Sequence, residues 1–204
     1  GSARTISHSL SAVPSMMIVK SRSSANKPWG IYHHKNTSAP ETDFLSLNNT
    51  NATADNSAYW NDTAPTSSVF TVGTTNDVNE NGTTYIAYLF SEVKGYSKFG
   101  SYTGNGSTDG VFCFTGMKVG WLMIKRTDSA NSWIIMDNKR NTFNPMGEEL
   151  KAEVSDAGND ATRWDQLSNG FKLRNGSGAV NASGGTYIYM ALAENPFVTS
   201  SGVP

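Results

Sequence analysis

Charge is scarce in this sequence. Asp, Glu, Lys and Arg make up 16% of its 204 residues, where an average soluble domain carries about 25%. The 16 basic and 17 acidic residues nearly cancel to a net charge of −1. That balance argues against a basic face that would release counterions from a phosphate backbone, and against an acidic solvating tail. A single cysteine, Cys113, cannot form an internal disulfide, so stability has to come from packing. No apolar run approaches the roughly 20 residues of a membrane-spanning helix, and Gly1 to Leu10 has neither the basic nor the apolar region of a signal peptide. These absences predict a soluble chain that neither binds nucleic acid nor inserts into membranes. Ser, Thr and Asn stand where charge would be, and they favour turns and hydroxyl-lined strands over helices. With its 19 glycines counted, the chain is about 46% apolar, enough for a buried core.

The strongest pattern is an internal resemblance. Met16-Met17-Ile18-Val19-Lys20, followed by Ala25-Asn26 and Trp29, is echoed by Trp121-Leu122-Met123-Ile124-Lys125, Ala130-Asn131 and Trp133. Thr84-Tyr85-Ile86 and Glu92 return as Thr186-Tyr187-Ile188 and Glu194, and Ser67 to Val72 resembles Leu167 to Leu173. The reading is two homologous units, 1–94 and 95–195, with a Pro/Ser/Gly tail at 196–204. Gly1-Ser2 aligns with Gly106-Ser107. Those two residues are either a tag remnant or native. If native, Gly95 to Tyr102 has an upstream counterpart missing from this chain, and the first unit lacks its first strand and has an open edge.

Runs of β-branched, aromatic and Met residues bounded by Gly, Asn, Ser and Pro predict about five strands per unit. In the first unit they are Met16 to Lys20, Trp29 to His34, Asp43 to Leu47, Ser68 to Val72 and Thr83 to Phe90. In the second they are Trp121 to Arg126, Ser132 to Asp137, a weak stretch near Glu149 to Val154, Gly170 to Arg174 and Gly185 to Ala193. Glu148 to Val154 is the one place that also suits a short helix. Asn-Gly and Gly-Gly pairs supply positive-φ turns. The predicted fold is all-β: two tandem homologous antiparallel β-sandwich-like units with little or no helix.

Lys20 and Glu92 close the most apolar strands of the first unit, as Lys125 and Glu194 do in the second. Such charges are ordinarily solvated ends. Their recurrence raises the alternative that each Lys meets its Glu across neighbouring strands, within about 4 Å. Asp77, Asn79, Asn81 and Gly82 open like a calcium loop, but the twelfth position is Tyr88, so a plain turn is expected. His33 and His34 diverge in a strand, Cys113 lies among apolar neighbours, and Glu148-Glu149 and Asp156/Asp160 read as solvated. No catalytic, metal or cofactor constellation emerges, and no enzyme is predicted. Trp29 and Trp133 read as core. Tyr59, Trp60 and Trp164 sit in Asn/Asp/Thr/Ser-rich stretches, where they either stack on a glycan or a subunit, or fold back as plugs over their own unit.

Several runs resemble a widespread domain of bacteriophage virion proteins, abundant in marine tailed phages and found in tail or tail-fibre-like proteins. They include Ser7 to Leu10 with Met17 to Lys20, Gly95 to Gly106, Leu122 to Asp128, Ser168 to Asn175 and Gly185 to Ala191. Met117-Lys118-Val119 departs from the Phe-Lys-Pro run more usual there. The resemblance implies a non-enzymatic structural or adhesive module of a phage tail, made in the host cytoplasm and serving particle assembly or host attachment. It implies other virion proteins, copies of itself (a trimer among the forms expected) and a host-surface glycan as partners. The alternative is a stand-alone carbohydrate-binding, lectin-like module with Tyr59, Trp60 and Trp164 on one platform.

Overall fold

A computed structural model describes residues 1–196 and contains fifteen strands and two four-residue helices. Every strand pairing is antiparallel, and the protein is all-β. Pro196 apart, the expected tail lies outside the described residues. The chain divides into two compact units, Gly1–Ser91 and Glu92 onward.

The first unit runs β1 (Arg4–Ser7), β2 (Met16–Ser21), β3 (Trp29–His33), β4 (Asp43–Ser46), β5 (Ala54–Asp55), α1 (Ser57–Trp60), β6 (Val69–Val72), α2 (Asn76–Asn79) and β7 (Tyr85–Phe90). Its strands form a five-stranded sheet, β5-β4-β3-β2-β7, and a separate pair, β1-β6. Alternation along β2 sends Met17 and Val19 into a core shared with Tyr32, Phe70, Val72 and Val78. Tyr59 and Trp60 of α1 complete it.

The second unit is one eight-stranded sheet. Its strands are β8 (Ser97–Thr103), β9 (Phe112–Phe114), β10 (Val119–Arg126), β11 (Ile134–Asp137), β12 (Met146–Lys151), β13 (Asn159–Leu167), β14 (Gly170–Leu173) and β15 (Thr186–Ala193). They are ordered β8-β15-β10-β11-β12-β13-β14-β9. Side chains from seven of these strands join one core cluster, and Tyr102 of β8 packs against it, so the sheet curls into a nearly closed, barrel-like wall. A bulge helps it bend: between Met146 and Glu148 the register with β13 shifts, and Thr162 takes a positive φ of 46°. Gly147 faces that bulge, where a Cβ would stand 1.9 Å from the Asp160 carboxylate.

The order β7-β2-β3-β4-β5, with β6-β1 beside it, reappears as β15-β10-β11-β12-β13-β14-β9. Local hydrogen bonds recur too. Asn79 Nδ2 donates to Ser2 O at 2.7 Å and Asn181 Nδ2 to Ser107 O at 2.9 Å. Tyr85 Oη donates to Asn76 O and accepts Glu80 N–H, while Tyr187 Oη donates to Gly178 O and accepts Ala182 N–H, all within 2.7–2.8 Å.

One reading is corrected. Glu148 to Val154 gives no helix; Met146–Lys151 is a strand, because Leu150 and Glu149 pair with Ile135 and Met136 of β11. The helices instead occupy polar segments, each started by a cap: Asn56 accepts Ala58 N–H, and Thr75 accepts Asp77 N–H.

Candidate functional site

The aromatics read either as a binding platform or as plugs are interior. Tyr59, Trp60 and Trp164 are 3%, 1% and 0% exposed, which removes the platform and favours the plug reading. In α1, the cap at Asn56 and the left-handed Asn61 (φ 55°) turn the helix so that its two aromatics point inward. The Tyr59 ring stacks on Phe44 at 3.7 Å, and its hydroxyl donates to Asp77 at 2.6 Å. Burial, then the Asp77 hydrogen bond and charge, push that hydroxyl's pKa far above the usual phenol value. Trp60 Nε1 donates to Asp43 O at 3.0 Å. Trp164 meets Phe171 edge-on at 6.3 Å, and its indole N–H has no hydrogen-bond partner among the described residues. Trp133 is core as read, but Trp29 is only half-buried, lying under the Lys20 ammonium 5.8 Å away.

The alternative of Lys–Glu pairs is not borne out. Lys20 and Glu92 both lie at the trailing ends of strand segments, as do Lys125 and Glu194, and antiparallel pairing sends those ends apart. Lys20 stands opposite Ile86, and Lys125 opposite Ile188, each six residues short of its glutamate, or about 20 Å along the strand. Glu92 instead holds Lys98 at 2.5 Å, and Lys20 donates to Lys27 O. Glu194 binds Lys118 at 2.6 Å and Asn138, and these contacts hold its carboxyl below its ordinary pKa. Lys125 is fully buried, donates to Arg126 O at 2.8 Å, and has its pKa lowered by desolvation to about 8.

Glu149, read as solvated, is 2% exposed and receives two hydrogen bonds from Arg163, at 2.6 and 3.0 Å. Arg163 also donates to Ser177 at 2.6 Å. Arg174 grips Asp165 at 2.5 Å, and Arg126 grips Asp128, which also accepts Thr186 N–H. Those bonds lower the Asp128 pKa to about 2. Of the calcium-like loop, Asp77 is held by Tyr59, and the Asn79 amide donates to Gly73 O and Ser2 O. Among the described residues no group of three His, Cys, Asp or Glu side chains could hold a metal ion. Burial pushes the Cys113 thiol up to about 12, leaving it protonated and unreactive.

A further surface feature of the first unit is the outer side of β7. Arg22 N–H bonds Thr84 O, so Ile86 and Tyr88 bond toward β2 while the backbone groups of Tyr85, Ala87 and Leu89 point away from it. No described strand pairs with that edge. Beside it opens a mainly apolar groove of about 360 Å³, walled by Phe70, Val78, Tyr85, Ala87, Ile6 and Arg4 among others.

A family model spans residues 1–196. The chain belongs to the DUF7483 family, a domain of unknown function. No curated protein and no solved structure matches it. In this DUF7483 domain, the carboxylates and bases detailed above join one backbone segment to another. Sequence reasoning missed Glu149 and Arg163, whose pairing depends on β12 and β13 lying side by side; the run of alternating residues from Thr162 to Gln166 around Trp164 was the available signal.

Proposed function

We propose that this DUF7483 chain is a non-enzymatic structural or adhesive module of a phage virion, part of a tail or tail-fibre-like protein. In this reading it consists of two units descended from one duplicated sheet module. The observation that carries the structural role is where the charged side chains go. Arg163–Glu149, Arg174–Asp165 and Lys118–Glu194 each tie neighbouring segments together, which stiffens a sheet wall and leaves those groups committed to the fold. The duplication is supported by the recurring strand order and by the paired Asn79/Asn181 and Tyr85/Tyr187 hydrogen bonds. The virion assignment is supported by the sequence runs quoted above. Assembly into a homo-oligomer and attachment to a host surface belong to the same proposal. With Tyr59, Trp60 and Trp164 buried, a lectin reading has lost the residues that favoured it.

The test is to purify phage particles that encode the chain, probe them by mass spectrometry, and label them with antibodies raised against it. Labelled tails are expected. Particles free of the protein would refute the proposal.

A further inference from the structure

The two units differ at one sheet edge, and the second unit shows what the first one lacks. β15 pairs with β10 on one side and with β8 on the other. Thr127 N–H bonds Thr186 O and Ala193 N–H bonds Tyr96 O, so Tyr187, Tyr189 and Ala191 turn their backbone groups to β8. Their counterparts are Tyr85, Ala87 and Leu89, the residues whose backbone groups point off the open edge of β7.

The groove matches as closely. From β8, Tyr102 enters the second unit's core. Its ring stacks on Tyr187 at 4.9 Å and meets Phe171 and Tyr189 at 6.4 Å, and its hydroxyl donates to Val180 O at 2.6 Å. In the first unit the residues in these four places are Tyr85, Phe70, Ala87 and Val78, and all four line the open groove. The empty volume therefore lies where Tyr102 lies in the second unit. The edge is also undefended. Tyr85-Ile86-Ala87-Tyr88-Leu89-Phe90 has no charge, proline or bulge to deter a partner strand, and Ile86 and Tyr88 are 36% and 44% exposed.

We propose that the outer edge of β7 and its groove form a docking site for one occupant, an extended strand of β8's chemistry that the described residues do not supply. The strand runs antiparallel to β7 and lays a tyrosine into the groove. Backbone hydrogen bonds to Tyr85, Ala87 and Leu89 supply adhesion, and the groove supplies selectivity for an aromatic side chain in the place of Tyr102. This site gives the proposed module a place for one added strand. It rests on the equivalence of the two units and not on the virion role.

The experiment titrates the full chain with a synthetic peptide of residues 95–104, Gly-Tyr-Ser-Lys-Phe-Gly-Ser-Tyr-Thr-Gly, and follows binding by calorimetry and amide hydrogen exchange. Saturable binding is expected, with slowed exchange at the amides of Tyr85, Ala87 and Leu89. Replacing the peptide's Tyr102 with Ser should weaken binding about tenfold or more, because the groove loses its ring. N-methylation at Gly100, whose amide faces the acceptor strand, should weaken it similarly, whereas N-methylation at Ser101, whose amide faces away, should leave it unchanged. Equal loss from both N-methyl peptides would overturn the proposal. So would absence of binding at about 1 mM peptide, or exchange changes confined to Tyr187, Tyr189 and Ala191, which would mean that the peptide only displaces β8. Particle labelling fails or succeeds independently of this titration, so the two proposals can be separated.

Discussion

Each unit buries a tryptophan in the segment that leads into one of its wall strands, Trp60 ahead of β6 and Trp164 ahead of β14, and the two units bring it there by different means. In the first, a single helical turn carries Trp60 inward, and the backbone around it ties the flanking segments: Gly73 N–H bonds Tyr59 O at 2.7 Å and the indole bonds Asp43 O. In the second, the nine-residue β13 carries Trp164 inward and pairs directly with β14, so the sheet continues without a break. The core demands a large aromatic at this place, and either secondary structure can deliver it once the local polar residues permit. A helical plug leaves β5 and β6 unpaired with each other and the wall in two sheets, whereas a long strand joins the wall into one.

Replacing either tryptophan tests how alike these solutions are. Trp60→Ala and Trp164→Ala should each cost about 3–5 kcal/mol in denaturant unfolding, through lost burial and an unfilled cavity. The milder Trp→Phe exchange should separate them. Trp60→Phe also strands the Asp43 carbonyl, adding about 1–3 kcal/mol, while Trp164→Phe removes an indole N–H that has no partner among the described residues and should be the gentler change. Equal losses would mean that the Trp60 hydrogen bond contributes nothing.

Next in size is the ion pair that crosses from β12 to β13. Glu149→Gln should cost about 3 kcal/mol, because the Arg163 guanidinium would then be buried without its countercharge. Gly100→Ala should cost about 1–3 kcal/mol, since a Cβ there would lie 2.5 Å from the Tyr189 hydroxyl. The first unit has Ala87 in the place of Tyr189, so Tyr189→Ala should relieve that clash, and the double variant should be less destabilised than the sum of the singles. Glu92→Ala should cost at most about 1 kcal/mol, because its Lys98 partner and the glutamate itself are both a third or more open to solvent. The last is a pH signature. The Lys125 pKa is lower in the folded state, about 8, than in the unfolded chain, so between pH 8 and 10 the unfolded chain binds more protons and stability should rise with pH. Melting curves across that range should lose the rise in Lys125→Met.

How much of this was legible in the sequence followed local chemistry. Strands built from continuous apolar runs, such as Met16–Ser21 and Thr186–Ala193, announced themselves, because a run of that kind has few other homes in an all-β chain. Asn159–Leu167 did not: its buried members are Trp164, Asp165 and Gln166, and two of those are polar residues whose burial depends on partners far along the chain. Gln166, for instance, donates to Val119 O. The polar surroundings of Tyr59 and Trp60 left exposure and inward plugging both open, because composition does not reveal a helical turn whose cap swings two rings inward. The Lys–Glu pairs failed on topology, since marks at the trailing ends of two adjacent antiparallel strands lie at opposite ends of the sheet.

Cys113 gives the second unit a built-in stopwatch. Its sulfur lies in the three-residue edge strand β9, which is hydrogen-bonded on one side to β14. While the strand is seated, the thiol is sealed and protonated. An alkylating reagent can therefore count only those excursions in which the sulfur reaches solvent, so the labelling rate measures the local opening free energy of that edge without any added probe.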